Sequence, residues 1–162
     1  MSTAENKAVV RRYFEEARTK GALQVCDEIF ASGFIRHTRR GSQPGSPEDQ
    51  KRVIVQWRAA FPDYRDTILS LVAEDDWVVA QVLFSGTHTG VFEFGGLGPW
   101  APTGRPMRGL EFFLYRLAGG KIVEMSALWD RLDFVEQLGL GGASPPSSSG
   151  AKPAAAVSAP GG

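Results

Sequence analysis

The chain has 162 residues, and its 18 Lys and Arg balance 18 Asp and Glu, so the formal net charge is zero. This length suits one domain with a hydrophobic core, and neutrality gives no electrostatic reason to bind nucleic acid or an anionic membrane, so we expect neither as a partner. One cysteine excludes an internal disulfide, and a polar N-terminus without an apolar run of roughly 20 residues predicts a cytoplasmic protein.

Two helices are predicted at the start of the chain. Ser2 or Thr3 can cap the first helix, and Glu5 in its first turn favours the helix dipole. Apolar residues then recur at helical spacing, namely Ala8, Val9, Tyr13, Phe14 and Ala17. Gly21 ends this helix, and residues 22–30 predict a second, shorter one.

The next segment predicts a short extended piece, a loop and a third helix. Residues 34–38 are extended in pattern, and residues 41–47 are rich in Gly, Pro and Ser, which is typical of a loop. Ser46 as cap and Pro47 at the first position begin a helix that ends at Pro62. Its inward residues are Val53, Ile54, Trp57 and Phe61.

From residue 64 the hydrophobic period changes to two, which predicts strands. The predicted strands cover residues 67–72, 77–87, 107–117 and 121–128. Residues 90–104 form a long loop rich in Gly, Pro and aromatic residues between the second and third strands. A short helix over residues 131–138 closes the domain.

This order predicts an α+β fold in which three N-terminal helices precede a curled antiparallel sheet. Long strands curl, and helices across the open side of a curled sheet make a cone with an internal pocket. The domain covers residues 3–140. Residues 141–162 are almost entirely Gly, Ala, Ser and Pro, which predicts a disordered tail.

The order of elements resembles the nuclear-transport-factor-2-like fold and, within it, the SnoaL-like polyketide cyclases. The stretches that carry the resemblance are VRRYFEE at 10–16, FIRH at 34–37, AAFPDY at 59–64, SGTHTG at 85–90, GKIVE at 120–124, WDRL at 129–132 and QLG at 137–139. The resemblance spans the domain and implies the fold. It implies no single reaction, because the fold hosts cyclases, isomerases, dehydratases, epoxide hydrolases, hydroxylation components and non-catalytic binders.

Asp130 is the first candidate for acid/base chemistry. In the resembled cyclases a strand-end Asp is the general acid/base, and Asp130 matches that position. A carboxylate at the mouth of an apolar pocket is desolvated, which raises its pKa toward the working pH. The alternative is that Asp130 caps the helix that begins at Arg131, or pairs with that arginine.

The two histidines, His37 and His88, lie in stretches that line the pocket in the resembled family. Imidazole titrates near neutrality and suits proton transfer, although an isolated histidine is more often a hydrogen-bonded structural residue. No third ligand with metal-site spacing accompanies them, so we expect no metal. The resembled chemistry needs no cofactor, because an enolate can be delocalised over the substrate's own rings.

Glu111 is a further acid/base candidate, since it lies in a strand of aromatic and aliphatic residues. Alternation places Glu111, Phe113 and Tyr115 on one face, but the pattern does not say whether that face looks into the pocket or into solvent.

Large apolar side chains form the core by default, and some of them are candidates for contact with a ligand. The substrate-binding candidates are Tyr13, Phe14, Phe34, Trp57, Phe61, Trp100, Phe113 and Leu128. The aromatic loop at 90–104 predicts either a lid over a polycyclic ligand or a contact in a dimer. The resemblance suggests a homodimer, or a higher homo-oligomer, through the sheet face.

These observations favour a small-molecule enzyme, first an aldol-type polyketide ester cyclase. The last strand departs from the family, because residues 125–128 (MSAL) are less polar around Asp130 and remove proton-relay partners. This departure leaves room for a polyketide hydroxylation component or an epoxide hydrolase, and a non-catalytic binding protein is the third alternative. An epoxide hydrolase would hold water between two carboxylates near an arginine, which Glu111 and Asp130 could do only if both point inward.

Overall fold

The structure is a computed structural model that describes residues 2–38 and 40–140, so the tail expected at 141–162 lies outside the described residues. The helices are α1 (Thr3–Arg12), α2 (Gln24–Ile29), α3 (Pro47–Ala60) and α4 (Arg131–Gln137), and a π-helical turn (Tyr13–Arg18) continues α1. The strands are β1 (Phe30–Thr38), β2 (Gly41–Pro44), β3 (Arg65–Glu74), β4 (Trp77–Thr87), β5 (Phe92–Phe94), β6 (Leu97–Trp100), β7 (Pro106–Ala118) and β8 (Lys121–Trp129).

Six strands form one curled sheet in the order β2-β1-β8-β7-β4-β3. All neighbours are antiparallel except β1 and β8, which run parallel. The hairpin β3–β4 turns at residues 75–76, and the hairpin β7–β8 turns at residues 119–120. Strand β1 lies between α2 and α3 in chain order, so its pairing with β8 places both helices against the sheet.

The sheet has an inner face toward the helices and an outer face toward solvent. On β7 the inner residues Phe113 and Tyr115 are buried, whereas Leu110, Phe112 and Leu114 on the outer face are 39–48% exposed. Neighbouring β4 follows the same alternation. The prediction that Glu111 shares a face with Phe113 and Tyr115 is therefore confirmed, and this face is the inner one.

Local sequence signals fix where the long helices begin. The Ser2 hydroxyl accepts the backbone N–H of Glu5, whose carboxylate accepts the N–H of Ser2, so α1 begins with a capping box. Ser46 and Asp49 make the same arrangement at α3, with Pro47 in its first turn. Both caps lie where the sequence predicts them.

Two apolar clusters surround the interior of the cone. One joins α1, α2 and the inner face of the sheet through buried residues that include Phe14 and Tyr115. The other joins α3, α4 and the β5–β6 hairpin through Trp57, Phe61 and Phe92. Gly109 on β7 belongs to this second region, because a Cβ there would meet the Phe84 ring at 2.6 Å.

Two segments expected as loops form strands. Residues 41–44 pair with the end of β1 as edge strand β2, which the Gly, Ser and Pro content of this segment does not suggest. The aromatic loop at 90–104 contains the hairpin β5–β6, in which Phe92 is buried and stacks on Trp100 at 5.9 Å. Tertiary packing outweighs the local loop composition in both segments.

Candidate functional site

A cavity of about 430 Å³ lies between α3, the π-helical turn and the inner face of β7 and β8. Its apolar wall consists of Tyr13, Ile54, Trp57, Phe113, Met125 and Trp129. This volume falls within the range of small-molecule sites, roughly 300–1,000 Å³. The predicted internal pocket is therefore present, and its aromatic walls suit a flat, largely apolar ligand.

A buried charged cluster forms part of the cavity wall. Arg18 donates through Nη2 to Oε2 of Glu111 at 2.7 Å, and its Nε forms an ion pair with Asp66, 2.8 Å from Oδ2. The same Nη2 reaches the Tyr64 hydroxyl, which in turn donates to Oδ1 of Asp66 at 2.9 Å. One guanidinium thus holds two carboxylates, and Arg18, Tyr64 and Glu111 line the cavity.

The positions of these groups follow from the local structure. Arg18 is the last residue of the π-helical turn that begins at the buried Tyr13, and its side chain lies against the inner face of the sheet. Glu111 takes an inner position on β7. Asp66 takes an inner position near the start of β3, and its backbone N–H donates to the Thr19 hydroxyl.

Burial and mutual attraction perturb the pKa values of this cluster. Burial raises the pKa of Asp66 to about 6, although Arg18 opposes the rise. Burial disfavours the charged form of Arg18, but the carboxylates of Asp66 and Glu111 hold its pKa above the ordinary value. Burial also raises the pKa of Tyr64, against the pull of Arg18. The Asp66 carboxyl therefore binds a proton more readily than an exposed aspartate does.

The charged side chains that line the cavity are mostly cations. They are the five arginines Arg18, Arg36, Arg40, Arg58 and Arg131, with Glu111 as the carboxylate among the described lining residues. Arg58 is fixed by backbone carbonyls, with the shortest bond to the Thr19 oxygen at 2.6 Å. Arg131 donates to the Gly95 carbonyl at 2.8 Å and lies over the Trp129 ring.

Asp130 does not lie in the cavity, so the placement predicted for it is wrong. The side chain is exposed, and its Oδ1 accepts the backbone N–H groups of Leu132 and Asp133 at 3.0 Å each. It is the N-cap of α4. Its neighbours on either side do line the cavity, because Trp129 is on the inner face of β8 whereas the chain turns outward at Asp130 to begin the helix.

His88 is also outside the cavity, in contrast to the prediction. It is fully buried in the second cluster, where its ring stacks on Phe61 at 5.2 Å. The backbone N–H of Thr103 donates to its Nδ1 at 3.3 Å, and burial lowers the pKa of the imidazole. A neutral histidine packed between aromatic rings is a structural residue, which is the alternative that the sequence left open.

His37 lies at the rim of the cavity. Its Nε2 is 2.8 Å from Oε2 of Glu124, and its Nδ1 is 2.8 Å from the Ser42 hydroxyl. The hydrogen bonds from His37 and Arg116 lower the pKa of Glu124. These partners lie away from the cluster of Arg18 and Glu111, so the structure does not combine His37 with the buried carboxylates.

The predicted substrate-binding residues divide into two groups. Tyr13, Trp57, Phe113 and Leu128 line the cavity, with Leu128 at its exposed rim. The structure places the other four elsewhere: Phe14 and Phe61 pack within the two clusters, Trp100 stacks on Phe92, and Phe34 lines an outer groove. Of the predicted lid, Phe94 and Gly95 at the hairpin tip reach the cavity.

Sequence reasoning missed Arg18, Tyr64 and Asp66. The available signal was Arg18 itself, which follows Phe14 by four residues and so lies on the apolar stripe of the first helix. A charged residue on an apolar face needs a buried partner. No local pattern names that partner, because Asp66 and Glu111 are 48 and 93 positions away along the chain.

Over residues 2–38 and 40–140, no group of three or more His, Cys, Asp or Glu side chains is placed to hold a metal ion. No helix in the described part of the chain is long and apolar enough to cross a membrane.

Comparisons with known proteins agree with this architecture. The family model described as SnoaL-like polyketide cyclase matches residues 8–138. Among solved structures, a candidate SnoaL-like polyketide cyclase from Jannaschia sp. CCS1 is 22% identical, with a TM-score of 0.73 over 88% of this chain and 95% of that chain. No curated protein sequence matches significantly.

Two Streptomyces structures are similar as well. IdmH from Streptomyces antibioticus, a candidate polyketide cyclase, is 27% identical, with a TM-score of 0.68 over 83% of this chain and 98% of that chain. AclR from Streptomyces galilaeus, a candidate hydroxylase, is 24% identical, with a TM-score of 0.72 over 90% of this chain and 87% of that chain. Proteins of similar fold are thus named for more than one reaction.

Proposed function

Because the chain belongs to the SnoaL-like polyketide cyclase family, we propose that it catalyses an aldol-type ring closure of a polycyclic polyketide, with Glu111 as the general acid/base. The observation that carries this proposal is the position of Glu111. It is a carboxylate on the inner face of β7, 6% exposed, that lines an aromatic-walled cavity of about 430 Å³. Asp130, which the resemblance had favoured, has no such access.

The proposed reaction needs one group to take and return a proton. Glu111 removes a proton from the carbon between two activating carbonyl groups, and the resulting enolate is delocalised over the fused rings. The enolate carbon then attacks a second carbonyl of the same molecule, so a C–C bond forms as the C=O π bond breaks. The new alkoxide takes the proton from Glu111, and the cavity walls hold the two carbons close together.

The neighbours of Glu111 support this role in two ways. Arg18 fixes the carboxylate in one orientation by a 2.7 Å hydrogen bond. The Tyr64 hydroxyl lines the same cavity and donates to Asp66, whose pKa of about 6 lets it accept a proton near neutrality. A proton can therefore pass between the cavity and Asp66 through Tyr64, without bulk water.

Epoxide opening is a second candidate, and one observation favours it. The sequence-based version of this hypothesis required Glu111 and Asp130 both to point inward, and Asp130 does not. Asp66 supplies the second carboxylate instead, and Arg18 lies between it and Glu111. A water bound at Glu111 could be deprotonated there while a proton from Asp66, passed through Tyr64, protonates the epoxide oxygen.

The experiment compares two matched carboxylate-to-amide variants on a tricyclic polyketide ester and on the corresponding free acid, with ring closure followed by mass spectrometry and ultraviolet absorbance. We expect Glu111→Gln to lower kcat by about 100-fold or more, since general acid–base catalysis contributes roughly 10²–10⁴. Asp130→Asn should retain turnover, because the amide oxygen can still accept the two N–H groups at the start of α4. Glu111→Asp keeps the charge beside Arg18 and controls for folding.

Unchanged turnover in Glu111→Gln would refute the assignment. Loss in Asp130→Asn alone, with unchanged folding, would restore the sequence-based candidate. An aromatic epoxide offered in parallel distinguishes the second candidate, because its diol product differs in mass by one water.

We also propose that the protein is a homodimer through the outer face of the sheet. Neighbouring strands expose large apolar side chains there: Leu69, Val72, Val79, Leu110, Phe112 and Leu114. Several large apolar side chains exposed on one face of a sheet are typical of a protein interface. Analytical ultracentrifugation should show a dimer for the unmodified protein and a monomer for Phe112→Glu, and a monomeric unmodified protein would exclude this interface.

A further inference from the structure

A second cavity adjoins the first. This outer groove, of about 530 Å³, lies between β2, α3 and the β5–β6 hairpin. Six residues line both cavities and so mark the place where they meet, which we call the neck: Arg36, Gln43, Gln50, Val53, Phe94 and Gly95. The polar side chains of the neck are one guanidinium and two amides, and none of the six is acidic.

Gln50 is the buried amide side chain of the neck. It is 2% exposed, and its Oε1 accepts the Tyr13 hydroxyl at 2.8 Å. Its Nε2 is buried and has no hydrogen-bond partner among the described residues. A buried, unpaired amide N–H costs stability, so a donor held in this way at a cavity wall favours a ligand that brings an acceptor.

Arg36 supplies a positive charge at the same place. It pairs in register with Met125, which puts it on the inner face of β1, and it is partly buried. The ion pairs between described residues do not include it. The nearby carboxylate of Asp49 is already bound by the Ser46 backbone N–H, the Ser46 hydroxyl and Arg52.

We infer that the neck is a binding subsite for a carboxylate of the substrate, held by the Arg36 guanidinium and the Gln50 Nε2 amide. The inference rests on the proposed function only in taking the inner cavity as the substrate site. It names the substrate class: a fused-ring polyketide that bears a free carboxylate, with its rings in the inner cavity and its acidic group at the neck.

The chemistry of the neck favours a carboxylate over a neutral ester. A guanidinium and an amide N–H both donate, so they match the two oxygens of a planar anion. An ester offers oxygens without charge, and a charge-assisted hydrogen bond is worth roughly 1.5–3 kcal/mol. By the conversion of 1.4 kcal/mol per factor of ten, the acid should bind about tenfold or more tightly than its ester.

The test uses three probes of matched shape: anthraquinone-2-carboxylate, its methyl ester and its primary carboxamide. Binding is followed by quenching of tryptophan fluorescence, since Trp57 and Trp129 line the inner cavity. We expect the carboxylate to have a Kd about tenfold lower than those of the ester and the amide. Arg36→Gln should bring the three Kd values within about twofold of one another.

Gln50→Leu should weaken the carboxylate about three- to tenfold and change ester binding less. Arg65→Gln removes an exposed arginine on β3 that lines neither cavity, and it should leave the ratio unchanged. Equal affinities of acid and ester for the unmodified protein, or an acid preference that survives Arg36→Gln, would overturn the inference.

These outcomes are separate from those of the turnover assay. An acid preference that depends on Arg36, without any ring closure, would support the subsite and refute the proposed reaction. Ring closure that depends on Glu111, with no acid preference, would support the proposed reaction and refute the subsite.

Discussion

The pH dependence of stability provides a direct test of the buried cluster. Asp66 has a side chain with no exposed surface, and burial raises its pKa from 3.8 to about 6. Between these values the folded state binds more protons than the unfolded state, so the contribution of Asp66 to the free energy of unfolding falls as pH rises. A difference of about 2 pKa units corresponds to about 3 kcal/mol.

The measurement is urea unfolding of the unmodified protein and Asp66→Asn between pH 3.5 and 7.5. The free energy of unfolding of the unmodified protein relative to the variant should fall by about 3 kcal/mol as pH rises from 3.5 to 7, and should be flat above pH 7. The comparison is necessary because Glu5, Asp49, Asp63 and Glu124 have lowered pKa values and give the opposite slope in both proteins.

Glu136→Gln is the matched control, since this carboxylate is exposed on α4 and its loss should leave the slope unchanged. Asp66→Asn also changes the contacts of Arg18, which shifts the free energy of unfolding equally at every pH. Only the slope with pH is therefore compared. A difference between the two proteins that stays constant from pH 3.5 to 7.5 would refute the argument that Asp66 is protonated near pH 6.

Three further changes test the packing and the caps. Arg18→Met leaves two carboxylates without their cation and should destabilise the fold by roughly 3–5 kcal/mol, measured by urea unfolding at pH 7; a loss below about 1 kcal/mol would contradict the ion pairs. Ser46→Ala should cost about 1 kcal/mol in the same assay, whereas Ser70→Ala on an exposed strand position should cost little. Gly109→Val should lower Tm by several degrees, because its Cβ would collide with the Phe84 ring, and an unchanged Tm would show that this ring can move.

The sequence predicts the fold much further than the site. Hydrophobic period, caps and turn residues act over a few positions, so Ser2, Ser46 and the alternation through Phe113 could be interpreted correctly. Strand pairing at β2 could not, because its partner β1 rather than its own composition makes it a strand. The same limit applies to Glu111: alternation groups it with Phe113, but the covering helices decide which face is inside.

Asp130 illustrates why the end of a strand is ambiguous. The residue after a strand can continue the strand with its side chain in the cavity, or it can turn to cap a helix. The sequence pattern is the same in both cases. The two backbone N–H groups of Leu132 and Asp133 decide the matter, since a carboxylate that satisfies them faces the helix terminus rather than the cavity. Only the course of the chain after Trp129 distinguishes the two alternatives.

The polar groups of the cavity also define a direction for its ligand. Burying Arg18 with two carboxylates costs desolvation that apolar residues of similar size would avoid, so stability does not account for the cluster. The proposed reaction accounts for the cluster if the reacting carbon of the substrate lies against Glu111. The neck, with Arg36 and Gln50, lies on the side of the cavity that opens to the outer groove.

A substrate with its acidic group at the neck therefore presents a fixed part of its ring system to Glu111. Moving the carboxylate to another ring position should then lower kcat more than it raises KM, because the molecule would still bind through its rings and its charge but would present the wrong carbon. Regioisomeric tricyclic acids, compared in the ring-closure assay, would show this, and equal kcat values for all isomers would show that the neck does not orient the ligand.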